Sequence, residues 1–367
     1  MYQFSFHDKR STKAMLGVYV AAAVVGSCLL VSLVPKSGTN DLYTRVVRKA
    51  VEETGSSSVK SDLAWLLAYP FAGSNAVLRV VQEVSHTSCA TNYGEAVWTN
   101  WDDYVLKQFD SIPVFEGTPN GPFKVHHQLA LPEKGTVLTK TSCAGFCMDC
   151  DLDSYVLPLL KPNVFLDSCA SGTSYKVTGD QLDLVSYDPH RAKKGVILIR
   201  SPLEIVVSRF NDVAGPDKHN RVGFHDWCGT YDRLESTGVL FKEFYTDEQR
   251  IVAEKVPCHA EFYRIVMWYN QAFKMLVGNV KEELVLHFNS FGGNHADEAV
   301  DKLFDFIGLE KIEGYEIPFQ RAESDFYNPR NWVSKEEMYY IWAFIETTSI
   351  PKSRREFHRY FRTVMNE

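Results

Sequence analysis

The sequence has no Gly-x-x-x-x-Gly-Lys-Ser/Thr phosphate loop, no visible internal repeat, no Asn-x-Ser/Thr glycosylation acceptor and no surplus of basic residues. The first absence removes the usual loop for cradling a nucleoside triphosphate beside Mg²⁺. A formal charge of −7 argues against a general nucleic-acid binder, so no nucleic-acid partner is expected and only local basic patches stay open. The missing glycan acceptor withholds one mark of a luminal protein without contradicting that placement.

With 367 residues, 45% of them hydrophobic, the chain can bury one large core or two modest ones, and a single large α/β domain is the expectation. Charge is missing altogether from Ala14 to Val34, 21 residues that would span about 32 Å as a helix, enough for a bilayer. Lys9, Arg10 and Lys13 precede this run and place the short tail, 1–13, in the cytosol by the positive-inside bias, while Arg45, Arg48 and Lys49 pull the other way. A cleaved signal peptide is the rival, but its apolar region would be shorter. At Val25-Gly26-Ser27-Cys28, which resembles a lipoprotein cleavage site, the apolar run continues through Leu29 to Val34. A retained anchor over 14–34 is therefore expected, then a polar stem over 35–60 ending in Gly55-Ser56-Ser57-Ser58, then a folded domain over 61–367.

Eight cysteines are present: Cys28 in the apolar run, then Cys89, Cys143, Cys147, Cys150, Cys169, Cys228 and Cys258. In an oxidising lumen several of these seven pair and one is left over. The cluster Cys143-x3-Cys147-x2-Cys150 offers three zinc ligands. No fourth stands at the usual spacing, so disulfide or plain structural use is expected, and no metal.

The apolar run Leu63 to Ala68 is short and ends at Pro70, as a buried strand does, and after the turn Val77, Val80, Val81 and Val84 recur at helical spacing. Between them lies Pro70-Phe71-Ala72-Gly73-Ser74-Asn75. Such a turn points unpaired backbone N–H groups and the positive end of a helix at one spot, where a phosphate or sulfate can sit; many turns of this kind carry Pro and Gly for geometry alone. Asn92 to Pro132, rich in Trp, Tyr, Pro and Gly, reads as a long loop suited to acceptor recognition. Thr136 to Thr139, Asn163 to Leu166, Gly195 to Ile199 and Leu284 to Phe288 read as further strands. Leu203 to Phe210 reads as a helix with Pro202 in its first turn, and Thr246 to Leu276 as one or two helices around Pro257. Asn294-x-x-Asp297 and Ser334-x-x-Glu337 open two more in capping-box fashion. Lys352 to Arg362 reads as a solvated helix face, the alternative being contact with an anionic ligand. Strands alternating with helices imply a mainly parallel central sheet with helices on both faces.

The decisive stretch is Ile199 to Phe210, IRSPLEIVVSRF. Arg200 leaves the end of a buried strand and Ser208 sits two turns into the helix that follows, so a bidentate guanidinium fork and a hydroxyl are presented to one anion. An arginine that only caps the strand end is the alternative.

In these two stretches the chain resembles the sulfotransferases that use 3′-phosphoadenosine 5′-phosphosulfate (PAPS). Tyr69-Pro70-Phe71-Ala72-Gly73-Ser74-Asn75 is similar to the family's 5′-phosphosulfate turn. Arg200-Ser201-Pro202 with Ser208 is similar to its 3′-phosphate segment, in the same order along the chain and with the same eight-residue separation. Further similarity runs through Trp227-Cys228, Val256 to Ala260 and Trp268 to Asn270. The resemblance implies a P-loop-like α/β fold and transfer of a sulfuryl group from PAPS, without metal, to a hydroxyl or amine of an acceptor such as a glycan. With the anchor and stem it implies a single-pass type II protein of the Golgi membrane, its catalytic domain luminal.

The family often takes its general base from the His of a Lys-Thr-His segment after the second core strand. Here that segment is Lys140-Thr141-Ser142, so Lys140 is kept to support the leaving group and Ser142 stands where the His would be. His126 and His127 are the candidate substitutes, unless they are an incidental surface pair. Phe71 occupies a turn position where many relatives place Lys or Arg, with Arg79 as a stand-in from the following helix. These departures motivate a catalytically weakened pseudoenzyme as one alternative. A luminal glycosyltransferase is another, because Asp149-x-Asp151 and Asp151-x-Asp153 have the spacing of a metal-binding Asp-x-Asp site.

Overall fold

The computed structural model describes residues 62–92, 124–125, 132, 136–146, 151–175, 182–214, 219–235, 238–317 and 331–365. The tail, anchor and stem, most of 92–132 with His126 and His127, and also Cys147, Asp149 and Cys150 lie outside these. Among the described residues no helix is long and apolar enough to cross a membrane.

A six-stranded sheet forms the centre, in the order β3 (Lys124–Val125), β2 (Ala90–Thr91), β4 (Thr136–Thr141), β1 (Asp62–Ala68), β7 (Ala192–Ile199), β8 (Glu282–His287). Every neighbouring pair is parallel except β2 with β3, so five parallel strands carry one short antiparallel edge. Leu63 to Ala68 and Val196 to Ile199 are all fully buried, the unbroken apolar signature of strands covered on both faces. β5 (Ser171–Tyr175) and β6 (Leu182–Ser186) form a separate hairpin.

The helices follow in chain order: α1 (Ser74–Ser85), α2 (Leu152–Leu159), α3 (Pro162–Cys169), α4 (Pro202–Val213), α5 (Arg221–Glu235), α6 (Asp247–Ala253), α7 (His259–Leu276), α8 (Ala296–Ile307), α9 (Lys335–Thr348) and α10 (Pro351–Met365). The valines expected to line one face of α1 are all buried. The stretch read as one or two helices around Pro257 is two, α6 and α7, and Ser334 opens α9 with a complete capping box. On α10, Phe357 and Phe361 are buried while Arg355 and Arg359 face solvent.

Two expectations fail. Asn163 to Leu166 is not a strand but the first turns of α3, where Pro162 supplies the preset first-turn dihedral and Phe165 fills the core beside Trp268. Asn294 is not the cap of α8, which starts one residue later with His295 at the cap position and no side-chain bond.

α7 is buried on nearly all sides, its polar residues included. Trp268 Nε1 donates to the Ser142 carbonyl (2.8 Å) and the Tyr269 hydroxyl to that of Leu198 (2.8 Å), fastening the helix to the ends of β4 and β7. Its polar residues meet in the interior: Glu261 pairs with Arg209 of α4 and lies 3.8 Å from Arg264, all three buried. Removing Glu261 alone would leave two buried guanidiniums without their carboxylate, a loss of about 3–5 kcal/mol.

Among the described residues two disulfides staple these elements, Cys143–Cys169 and Cys228–Cys258, and Cys89 is free and buried. Cys143 is thereby removed from any three-cysteine zinc site, and pairing of this kind is what an oxidising compartment allows; Cys147 and Cys150 lie outside the described residues. Cys228–Cys258 closes a loop of 30 residues. Replacing both with alanine should lower unfolding free energy by about 3 kcal/mol; a urea midpoint unchanged from the parent chain would refute this.

Candidate functional site

The carboxyl ends of β4, β1 and β7 lie side by side, and each delivers one part of a common site. From β1 the chain turns through Tyr69 to Gly73 into α1. Ala72 N–H closes the turn on the Tyr69 carbonyl (2.9 Å), and both Phe71 (φ 67°) and Gly73 (φ 93°) take left-handed backbone angles. The N–H groups of Ser74 and Asn75, in the first turn of α1, have no acceptor within the helix. A Cβ on Gly73 would overlap the Phe288 ring, so glycine is required there by angle and by space alike.

From β7 comes Arg200, 129 residues away in sequence, whose Nη1 donates to the Phe71 carbonyl at 2.8 Å. Its Nε pairs with Glu204 one turn into α4 (2.9 Å), and its guanidinium lies over Phe288, 5.1 Å from the ring centre. From β4 comes Lys140, buried, with Nζ 2.8 Å from Asn75 Oδ1. Ser208 shares the Arg200–Glu204 face of α4, and its Oγ is buried without a hydrogen-bond partner among the described residues. The structure therefore brings Phe71, Gly73, Asn75, Lys140 and Arg200 into one constellation.

No family model, curated protein or solved structure matches the chain. Backbone N–H groups, a helix N-terminus, a lysine and a guanidinium converge on the outlet of a parallel sheet, beside the strand where the order of connections reverses. That is where open α/β sheets place anionic ligands. Phe288 and Glu204 join the site although no sequence motif assigns them to it. The i,i+4 spacing from Arg200 was the available signal for Glu204, whereas nothing local marks Phe288.

Other named residues fall differently. Ser142 is buried, its carbonyl held by Trp268. Arg79 is buried on α1 with Nε 3.9 Å from Glu83. His126 and His127 lie outside the described residues. Asp151 caps α2 through the Ser154 N–H (2.7 Å) and Asp153 accepts from Val239 N–H (2.6 Å), so both carboxylates serve the backbone. Behind the turn, burial first and Glu261 second push the Tyr69 hydroxyl up to about 12, keeping it a neutral donor.

A second feature lies at the start of α7: a cleft of about 520 Å³ between α5, α6, α7 and α9. Asp232 accepts from Ala260 N–H (3.1 Å) and caps α7, while His259 Nε2 stands 3.8 Å from its Oδ1. Burial raises the Asp232 carboxyl to about 7 against the pull of three backbone N–H groups, and burial lowers His259 to about 4. Asp232, raised in the folded state, adds stability at low pH that is lost as pH climbs through about 7. His259, depressed, adds stability above its ordinary value of 6.5 that is lost as pH falls toward 4. The two slopes oppose each other across the acidic range. Asp232→Asn should accordingly gain stability relative to the parent chain as pH rises from 4 to 7, and His259→Gln should gain as pH falls from 6.5 to 4. Urea unfolding across that range checks both, and curves parallel to the parent would show that neither group is shifted.

Proposed function

We propose that the chain is a sulfotransferase that moves a sulfuryl group from PAPS to a hydroxyl or amine of an acceptor, with a glycan as the leading class. The observation that carries the reading is the bond between Arg200 and the Phe71 carbonyl. It joins the two stretches that resemble the family's 5′-phosphosulfate and 3′-phosphate segments, so a single nucleotide can reach both. The N–H groups of Gly73 to Asn75 take the 5′-phosphosulfate, with Pro70 to Ala72 shaping the turn. Arg200 and Ser208 take the 3′-phosphate, and Lys140 supports the leaving phosphate.

Sulfuryl transfer, like phosphoryl transfer, depends mostly on alignment and on stabilising charge that builds on the leaving group. In this reading the turn, the helix end and Lys140 supply the stabilisation for that charge. A base for the acceptor adds a further factor of about 10²–10⁴, and the buried Ser142 is not suited to the role, which keeps a weakened pseudoenzyme as the second reading. The P-loop-like form of the fold, helices on both sheet faces, the single-pass anchor and a luminal Golgi setting belong to the same proposal. The two disulfides favour an oxidising compartment.

Ser208→Ala separates this reading from a purely structural one. The hydroxyl is buried and unpartnered, so its removal should leave stability unchanged or raise it by up to about 1 kcal/mol. If it meets a phosphate, the same change should weaken binding of PAP, the desulfated donor, by about tenfold or more. Calorimetry with the full-length chain, without metal, reads both donor affinity and its loss in Ser208→Ala and Arg200→Ala. Absence of PAP binding by the folded chain would sink the assignment; PAP binding with no transfer to any acceptor would support the pseudoenzyme.

A further inference from the structure

The cleft at the start of α7 is not used by the nucleotide reading, and its construction points to a ligand of its own. Its volume, about 520 Å³, is in the range of small-ligand pockets. Gly229 lies on its wall in the middle of α5, where a Cβ would meet nothing within 4 Å. Glycine is unfavourable inside a helix and no neighbour demands it here, so the missing side chain serves to keep the cleft open. On the same wall, one residue before and three after, Cys228 and Asp232 fasten the start of α7 by the disulfide and the cap.

His259 also lines the cleft, is 5% exposed, and its Nδ1 has no hydrogen-bond partner among the described residues. A buried, unpartnered ring nitrogen is costly unless a ligand or water completes it. The charges around it are mixed: Asp232, Glu254 and Glu337 stand against Arg233 and Lys255. Such a lining favours neither an anion nor a cation but a molecule whose groups donate and accept at once, as hydroxyls do. Phe241, packed 5.6 Å from the His259 ring, adds an apolar face.

We propose that this cleft binds an uncharged, hydroxyl-rich ligand, a neutral saccharide, with His259 and Asp232 as its hydrogen-bonding floor and Phe241 as its apolar wall. The site goes beyond the transfer reaction and holds whether or not the chain uses PAPS. It is not remote from the nucleotide residues: His259 stands two positions before Glu261, which pairs with Arg209, the neighbour of Ser208.

The test uses the full-length chain in detergent with lactose, cellobiose and N,N′-diacetylchitobiose as probes, read by saturation-transfer difference NMR and calorimetry. A heparin-derived disaccharide is the anionic comparator. At least one neutral probe should bind in the millimolar range or tighter. Gly229→Trp, which fills open space, should abolish that binding while leaving PAP affinity and the thermal midpoint unchanged. His259→Ala should weaken it by about tenfold, as should Phe241→Ala should the tryptophan variant not fold. Arg200→Ala should lose PAP and keep the saccharide, so failure of the donor assignment and failure of this one are read separately. The proposal is overturned if no neutral probe binds, if binding survives in Gly229→Trp and His259→Ala, or if the anionic disaccharide binds this cleft more tightly than every neutral one.

Discussion

The parallel pairing of β1 between β4 and β7 is the constraint on which the rest depends. Parallel neighbours end at the same edge, and the chain must leave each through a crossover that begins there. Residues far apart in sequence are thereby delivered to one place: the glycine turn after β1, Lys140 near the end of β4, and Arg200 just past the end of β7. The bonds from Arg200 to Phe71 and from Lys140 to Asn75 are consequences of that register. A slip of one residue would turn Lys140 to the opposite face of the sheet and undo the second of them. β8 adds Phe288 as a common floor, because its last residue, His287, pairs in register with Ile199. The Tyr360 hydroxyl donates to the carbonyl of that same Ile199 (2.9 Å), and His287 stands 3.0 Å from it, so α10 braces the strand end from which Arg200 departs.

Behind this edge α7 ties the site to the core. A helix so fully buried brings its polar residues with it, and they are tolerable only as a connected set. Arg209, Glu261 and Arg264 form that set, with Arg264 over the Tyr155 ring, 5.3 Å from its centre. Arg209 follows Ser208, so the ion pair that anchors α4 to α7 also holds the serine in place. At this same end α7 begins abruptly after Pro257, where Cys258 takes a left-handed angle (φ 62°) and the N-cap offers no side-chain bond of its own. Asp232 from α5 supplies the missing acceptor, and the carboxylate is thereby drawn into the cleft with His259.

Much of the sheet was legible because buried parallel strands leave continuous apolar runs, as in Leu63 to Ala68 and Gly195 to Ile199. Pro202, Pro257 and Ser334 marked helix limits for steric and capping reasons that act within a few residues. Asn163 to Leu166 misled because four residues, apolar at Val164 to Leu166, do not distinguish a strand from a helix, and the proline before them was the better guide. Asn294 misled because a capping pattern states a capacity, not a geometry. The anion turn and Arg200 could be read from composition and order, whereas Phe288, the buried charge set and the His259–Asp232 cleft could not. Those are products of tertiary packing between segments that share no local signal.

The charge balance at Arg200 narrows what the site can hold. A lone guanidinium in so buried a position would carry a desolvation cost of several kcal/mol, and Glu204 offsets it by pairing one edge of the fork. The same pairing lowers the attraction that Arg200 offers to an incoming anion, and it fixes the guanidinium plane before any ligand arrives. At the turn before α1, Lys140 reaches Asn75 through a neutral amide oxygen. The two halves therefore differ in kind. Beside the turn the field of the helix end and Lys140 favours the group on which charge grows, while at Arg200 a pre-paired, oriented fork and the waiting Ser208 hydroxyl favour shape and position. A ligand that satisfies both would carry two separated anionic groups, one of them held by the fork of Arg200, and the proposed donor, a nucleotide substituted at both its 3′ and 5′ positions, has that form.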